Sequence, residues 1–154
     1  MNRTKLASSA AALALMLVMG FEGLRTNAYL DPVDIPTICY GETAGVKLGQ
    51  VKSAEECQTM LAGRLNEFIT VVDNCVHVPL AEYERAALGS FAYNVGAQAF
   101  CSSTLARKFN AGDHVGGCNE LRRWTRAGGK VLPGLVTRRE RERYVCLGGI
   151  NPNS

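Results

Sequence analysis

The chain has no Cys-x-x-Cys pair. Its six cysteines, Cys39, Cys57, Cys75, Cys101, Cys118 and Cys146, are widely spaced, which argues against the zinc sites whose ligands come in such pairs. It has no internal repeat and no Pro/Gly/Ser linker, so 154 residues make one domain, or one domain behind a leader. It has no comfortable membrane span either. The uncharged stretch over residues 6–21 gives about 24 Å of helix against the ~30 Å hydrocarbon core of a bilayer. Only two histidines occur, His77 and His114, and neither stands in a catalytic or metal-binding pattern. The net charge of +3 is mild. It is unevenly spread, with seven arginines and one lysine between Arg122 and Arg143. Such a stretch suits an anionic polymer, a nucleic acid or a membrane surface, but Glu120, Glu140 and Glu142 are interleaved with it. The favoured reading is a solvated helix face laced by ion pairs. No metal, no cofactor and no nucleic-acid partner are expected, and nothing suggests more than a monomer.

What is present is the composition of a folded globule, 47% hydrophobic and 20% charged, long enough to bury a sizeable core. Arg3 and Lys5 precede the uncharged stretch, the arrangement of an export signal with its N-terminus inside. Five alanines, two serines and Gly20 make up half of that stretch and gain little from lipid. The segment therefore inserts only marginally and is able to leave. Ala12-Leu13-Ala14 also fits a small-residue cleavage site, and Val18-Met19-Gly20 fits one poorly. A cut after Gly20 would strand Glu22 second from a frayed terminus. Behind an export signal, an even cysteine count predicts three disulfides, and spacing leaves all 15 connectivities open.

Residues 22–30 are expected to continue as helix, weakened by Gly23. Residues 31–41, with two prolines and several β-branched residues, predict a turn, a short strand and a turn, as in a small hairpin. Ser53 to Glu56 is a capping box that starts a helix. Met60, Leu61, Leu65, Phe68, Ile69 and Val72 recur along it with helical period. Pro79 is expected to open the next helix, stopped by Gly96. Ser103 and Asp113 are candidate N-caps. A loop through Gly128, Gly129, Pro133 and Gly134 precedes a second capping box at Thr137 to Glu140, and the last helix runs to about Cys146. The tail from Gly148 is expected to be loose.

Glu22, Asp31 and Thr37 fall where helix hands over to hairpin. Two carboxylates at one cleft are the equipment of glycoside hydrolysis. One is held protonated for the leaving oxygen, and the other directs water or steadies the positive sugar. A hydroxyl nearby orients the water. The bland alternative is a surface glutamate with a turn-forming Asp-Pro.

The surrounding residues resemble the phage-type lysozymes, glycoside hydrolase family 24. The first block carries Glu22, Gly23, Arg25, Tyr29, Asp31, Pro36, Thr37, Ile38 and Gly41. A second, from Ser90 to Leu105, carries Phe91, Asn94, Gly96, Ser103, Thr104 and Leu105. A third, from Leu121 to Glu142, carries Arg123, Trp124, Gly128, Gly129, Gly134, Leu135, Arg138, Arg139 and Glu142. Three blocks in order over residues 22–147 are a specific signal. The resemblance implies an α+β, mostly helical, lysozyme-like fold with a small N-terminal β-hairpin lobe and a larger helical lobe. It also implies hydrolysis of the β-1,4 bond between N-acetylmuramic acid and N-acetylglucosamine in peptidoglycan. Glu22 would be the general acid, Asp31 the second carboxylate and Thr37 the residue that positions water, with inversion at the anomeric centre. Arg138 would lie near Glu22 and favour its ionised form, against the needs of an acid. Asn94 and Thr104 are candidate sugar contacts, while Trp124 is expected in the core. Where the family often has Gly-His-Thr, this chain has Gly41-Glu42-Thr43, which puts in doubt a structural His–carboxylate pair; Glu42 is expected to be an ordinary surface residue, or else a third acid near the cleft.

The chain also resembles the signal-anchor-release endolysins. Residues 1–21 would then be a releasable anchor in the host inner membrane and residues 22–154 a catalytic domain facing the periplasm. The leader is the only sequence available to form the helix that carries Glu22, so the acid becomes useful once the leader quits lipid. Collapse of the membrane potential would ease that escape. The leader has no cysteine, which excludes control by disulfide exchange with the anchor. Related endolysins share the placement of Cys118 and Cys146 about the basic loop, so the resemblance pairs them. Cys75 and Cys101 bracket the helix after Pro79, and Cys39 is left with Cys57. The alternatives are a conventionally secreted lysozyme whose signal peptide is removed, a lytic transglycosylase, and a stapled module that merely holds peptidoglycan.

Overall fold

The computed structural model describes the backbone of residues 2–149 and the side chains from residue 10 onward. The side chains of Arg3 and Lys5 and the end of the expected loose tail lie outside the described residues. Helix α1 (Asn2–Phe21) leads into a hairpin of β1 (Arg25–Leu30) and β2 (Pro36–Cys39). The long α2 (Ala54–Cys75) follows, then α3 (Glu82–Val95), α4 (Ala97–Cys101), α5 (Thr104–Asn110) and α6 (His114–Glu120). A single 3₁₀ turn (Leu121–Arg123) and a two-residue hairpin, β3 (Arg126–Ala127) with β4 (Lys130–Val131), lead to α7 (Pro133–Cys146).

Two cores flank α2. In one, Ala10, Ala14 and Val18 of α1 pack with Ile38 and Tyr40 of the hairpin end and with Leu61, Leu65 and Ile69 of α2. In the other, Leu88 and Phe91 of α3 meet Phe100, Leu105, Phe109 and Leu121, with Leu17 of α1 and Val72 of α2 reaching across. The apolar leader is therefore a structural member of both cores. Ala10 and Ala14, four residues apart on one face, are fully buried, and their small side chains allow close approach to the neighbouring helices. Ala10 N donates to Glu82 Oε2 at 3.3 Å. Among the described residues no helix is long and apolar enough to cross a membrane, in keeping with the shortness of the uncharged stretch.

The Ser53 box forms as expected, with Glu56 N donating to Ser53 Oγ and Ser53 N donating to Glu56 Oε1. The serine bonds pull the Glu56 carboxyl below its ordinary value. Ser103 and Asp113 also cap, α5 and α6 respectively. Three local expectations are corrected. Residues 25–30 are strand, because α1 ends at Phe21 and the following segment pairs with β2. Helix α3 starts at Glu82, three residues after Pro79, where the Glu84 carboxylate accepts from Ala81 N at 2.8 Å. Helix α7 starts at Pro133, whose fixed φ and missing N–H suit a first helical position. Thr137 is thus inside the helix, donating back to Pro133 O.

All three disulfides form with the expected pairing, Cys39–Cys57, Cys75–Cys101 and Cys118–Cys146. Cys39 lies at φ +63, and Gly41 two residues on is at φ +90. Ile38 and Glu42 exchange both backbone hydrogen bonds at 2.9 Å, so residues 38–42 form a tight loop that the Cys39–Cys57 bridge ties to α2. Replacing both cysteines by serine is expected to cost about 3 kcal/mol. It should also lower activity at temperatures where circular dichroism still reports a folded protein, because the loop borders the candidate site.

Candidate active site

Glu22 follows directly on α1, its N–H still donating to Val18 O at 2.8 Å. It is thereby fixed to the helix end rather than to a loop. Arg138 Nη1 donates to Glu22 Oε1 at 2.9 Å, as expected. Phe21 beside it lies under the Arg138 and Arg141 guanidinium groups, 4.8 and 5.9 Å from its ring centroid. Arg138 is in turn held by Glu142, through Nε at 3.3 Å, and by the Ser90 carbonyl at 3.2 Å.

Glu142 has no solvent exposure. It accepts from Ser90 Oγ at 2.6 Å, from Arg138, and from Arg139, whose other amine reaches Asn94 Oδ1. One buried carboxylate thus orients two arginines, one toward Glu22 and one toward Asn94. Burial pulls the Arg139 guanidinium below its ordinary value, and Glu142 opposes that shift. The expectation of a solvated, laced helix face holds for Arg122–Glu140 and Arg143–Glu140, while Arg123 pairs with Glu120, whose carboxylate is buried. The Arg122 bond depresses the Glu140 carboxyl. The expectation fails for Arg138, Arg139 and Glu142, which point inward. Their spacing of four and three residues was the available signal, but it does not distinguish an inner face from an outer one.

Glu22 opens into a cavity of about 300 Å³ lined also by residues 40–44, Arg64 of α2, and Tyr93 and Asn94 of α3. A Cβ added at Gly41 would meet Glu22 Oε2 at 3.8 Å, an ordinary contact, so Gly41 lies beside that oxygen in the cavity wall. Asn94 lines the cavity as the sequence predicted; Thr104 does not, lying on the first turn of α5 with Oγ1 accepting from Arg107. Asp31 and Thr37 sit across the hairpin mouth. Asp31 Oδ1 accepts from Val33 N and Ile35 N, both at 2.9 Å, and Thr37 Oγ1 donates to Ile35 O at 2.8 Å. The structure places these two on the hairpin and not in the lining of the Glu22 cavity. Their shared anchoring to the 31–35 loop holds the Asp31 carboxylate and the Thr37 hydroxyl in fixed relation to each other. Trp124 packs edge-on to Phe91 at 5.2 Å, a core position.

Of the two expectations for Glu42, the favoured surface position is corrected and the other, an acid near the cleft, is what the structure has: Glu42 is only 7% exposed and lines the cavity. It accepts from Tyr93 Oη at 3.2 Å and lies 3.7 Å from Arg64 Nε. Where the resemblance implies a histidine paired with a carboxylate, this chain has a carboxylate paired with an arginine. Neither Arg64 nor Tyr93 was singled out by sequence reasoning, and no local pattern marks them. Burial pushes the Tyr93 phenol well above the ordinary tyrosine value, and Glu42 and then Glu22 add to the shift while Arg64 opposes it. A raised folded value means that this group's contribution to stability is complete below the unfolded value of about 10 and is lost as pH rises through the folded one. An ultraviolet titration should therefore show one phenol of the five ionising late, together with alkaline unfolding. Tyr93→Phe should remove that late step.

A hairpin and a helical lobe around one long helix, with a glutamate held by a buried arginine at the mouth of a polar cavity, define a lysozyme-type glycoside hydrolase. The phage lysozyme family model matches residues 19–142, and the chain belongs to that family. It is 43% identical over 157 residues to the SAR-endolysin of Bacteriophage PS119, covering 96% of this chain and 94% of that one. Among solved structures, it is similar to the muramidase domain of SpmX from Asticaccaulis excentricus, with a TM-score of 0.81 and 33% identity over 87% of this chain and 94% of that one. The endolysin from Escherichia coli O157:H7 phage FAHEc1 gives the same TM-score and identity over 88% and 91%. The lysozyme-like fold expected from sequence is thus the observed one.

Proposed function

We propose that the chain is a phage endolysin that hydrolyses the muramic acid–glucosamine bond of peptidoglycan, with Glu22 as proton donor. The observation that carries this reading is Glu22 in the lining of a polar cavity, bonded to the buried Arg138 at 2.9 Å. Arg138 fixes one oxygen, so the proton is offered from the second, toward the cavity. Asp31 is the second carboxylate and Thr37 orients water. Asn94, its carbonyl oxygen taken by Arg139, presents its amide to the sugar. Two backbone amides bond Asp31 Oδ1 and leave Oδ2 for water or for the oxocarbenium face.

The packing of α1 into both cores supports retention of the leader over its removal. In this reading residues 1–21 first tether the enzyme to the inner membrane, with Glu22 at the outer interface and the cavity incomplete. On release they fold as α1, and the enzyme acts in the periplasm as a monomer. Turbidity loss of outer-membrane-stripped cells, with mass spectrometry of the products, tests the chemistry. Reducing muramic acid ends are expected, whereas anhydro ends would mean a transglycosylase. N-terminal sequencing of the exported protein should return the intact leader; a start at Leu15 or Phe21 means a cleaved signal peptide.

A further inference from the structure

The Glu22 cavity holds a second buried carboxylate that the reaction as described does not use. Glu42 does not maintain its loop by its side chain, because the backbone of Ile38 and Glu42 already closes residues 38–42 with two hydrogen bonds. Its carboxylate is nevertheless drawn inward and held on both oxygens, Oε1 by the Tyr93 hydroxyl and Oε2 by Arg64. The Tyr93 hydroxyl, which also lies 3.3 Å from the Tyr40 carbonyl, is a hydrogen-bond donor to it, and the Arg64 guanidinium is an ion-pair partner at 3.7 Å. Glu22 lines the same cavity and accepts from Arg138 on Oε1.

We propose that Glu42 is a positioning residue for the general acid: its fixed negative charge acts through Glu22, opposes Arg138, and keeps the catalytic proton on the Glu22 oxygen that faces the cavity. The inference rests on the reading of Glu22 as proton donor and deepens it. A negative charge bordering a small polar space opposes a second one in the same space. The arginine pull on Glu22 is also divided, since Arg138 bonds Glu142 through its Nε. The charged and titratable groups around Glu22 are Arg138 and Arg141 from α7, Arg64 from α2, Tyr93 from α3, and Tyr40 and Glu42 from the hairpin end. Besides Glu22, Glu42 is the acid in the cavity lining, and Glu142 lies behind Arg138, bonded to its Nε.

The test is the pH dependence of the lytic rate of the full-length released protein at fixed ionic strength. Glu42→Gln keeps the shape and an acceptor for Tyr93 but removes the charge. The alkaline limb should move to lower pH by about one unit. Arg64→Gln removes a cation from the same cavity and leaves Glu42 less neutralised, so the limb should move to higher pH. A purely structural role for the pair predicts loss of rate at all pH values with the limb in place, and that result overturns the proposal. Should Glu42→Gln fail to fold, the Arg64→Gln limb decides alone, and an unmoved or lowered limb is a refutation. Glu22→Gln, run in parallel, separates the two levels. Lysis at or near the wild-type rate in that variant refutes the proton-donor reading itself, whereas a rate lowered by about 10² or more with unmoved limbs in the other two refutes only the role of Glu42.

Discussion

Glu22→Gln should lower the rate of cell-wall hydrolysis by about 10² to 10⁴, the usual contribution of a positioned proton donor. The protein should stay folded. Glutamine keeps an oxygen for Arg138 Nη1, and Arg138 retains Glu142 and the Ser90 carbonyl. The stability loss should therefore be about 1 kcal/mol, the net worth of a typical hydrogen bond. Melting curves and turbidity measured on the same preparation check both halves. A stapled module that only holds peptidoglycan through its arginines would keep its full effect in this variant. The size of the effect follows from where the acid is mounted: a helix end packed into two cores lets Arg138 meet one oxygen and leaves the other open, so no other group replaces it.

Removing residues 2–20 should abolish activity and unfold or severely destabilise the domain. Leu17 and Val18 are buried, and burial of each is worth roughly 1.5–3 kcal/mol. The two together are a large part of the ~5–15 kcal/mol that holds a typical domain. Ala10 and Ala14 would leave a trough along α3 and the front of α2. A finer variant is Ala14→Asp, which places a charge at a position with no exposure and should cost several kcal/mol. Denaturant melts and turbidity assays should show both variants losing activity with stability. Full activity in a chain trimmed of these residues would refute the claim that the leader becomes the mount for Glu22. The same small apolar face serves both proposed settings of this segment. Alanine-rich surface gains little from lipid, and it fits closely against the neighbouring helices.

Legibility in the sequence differed by the kind of interaction involved. The Ser53 box and the Ser103 and Asp113 caps were readable because donor and acceptor lie within three residues of each other. Pro79 and Thr137 misled because more than one helix start was locally acceptable, and surrounding packing chose among them. Residues 25–30 misled for a related reason: a strand exists only with its partner, and the pairing with β2 outweighs a weak helical continuation. Family blocks carried Glu22, Asp31, Thr37, Asn94 and Arg138 into view. They carried nothing about Arg64 or Tyr93, which lie on α2 and α3 and acquire meaning only beside residue 42.

The sequence by itself determined the local and the chemical: the helix caps on α2, α5 and α6, the three disulfides expected of six separated cysteines, and the blocks that place the chain among the phage lysozymes. Tertiary structure decided which charges face inward. Glu42, Glu142, Arg138 and Arg139 have the same side-chain chemistry as the solvated Glu140 and Arg122 close by on α7 and the 3₁₀ turn. The cost of burying a charge depends on partners contributed from distant segments, and spacing along one helix does not contain them. Docking of α1 was decided at the same level, because an apolar stretch is equally satisfied by lipid or by protein until the complementary face of α2 and α3 is there to receive it.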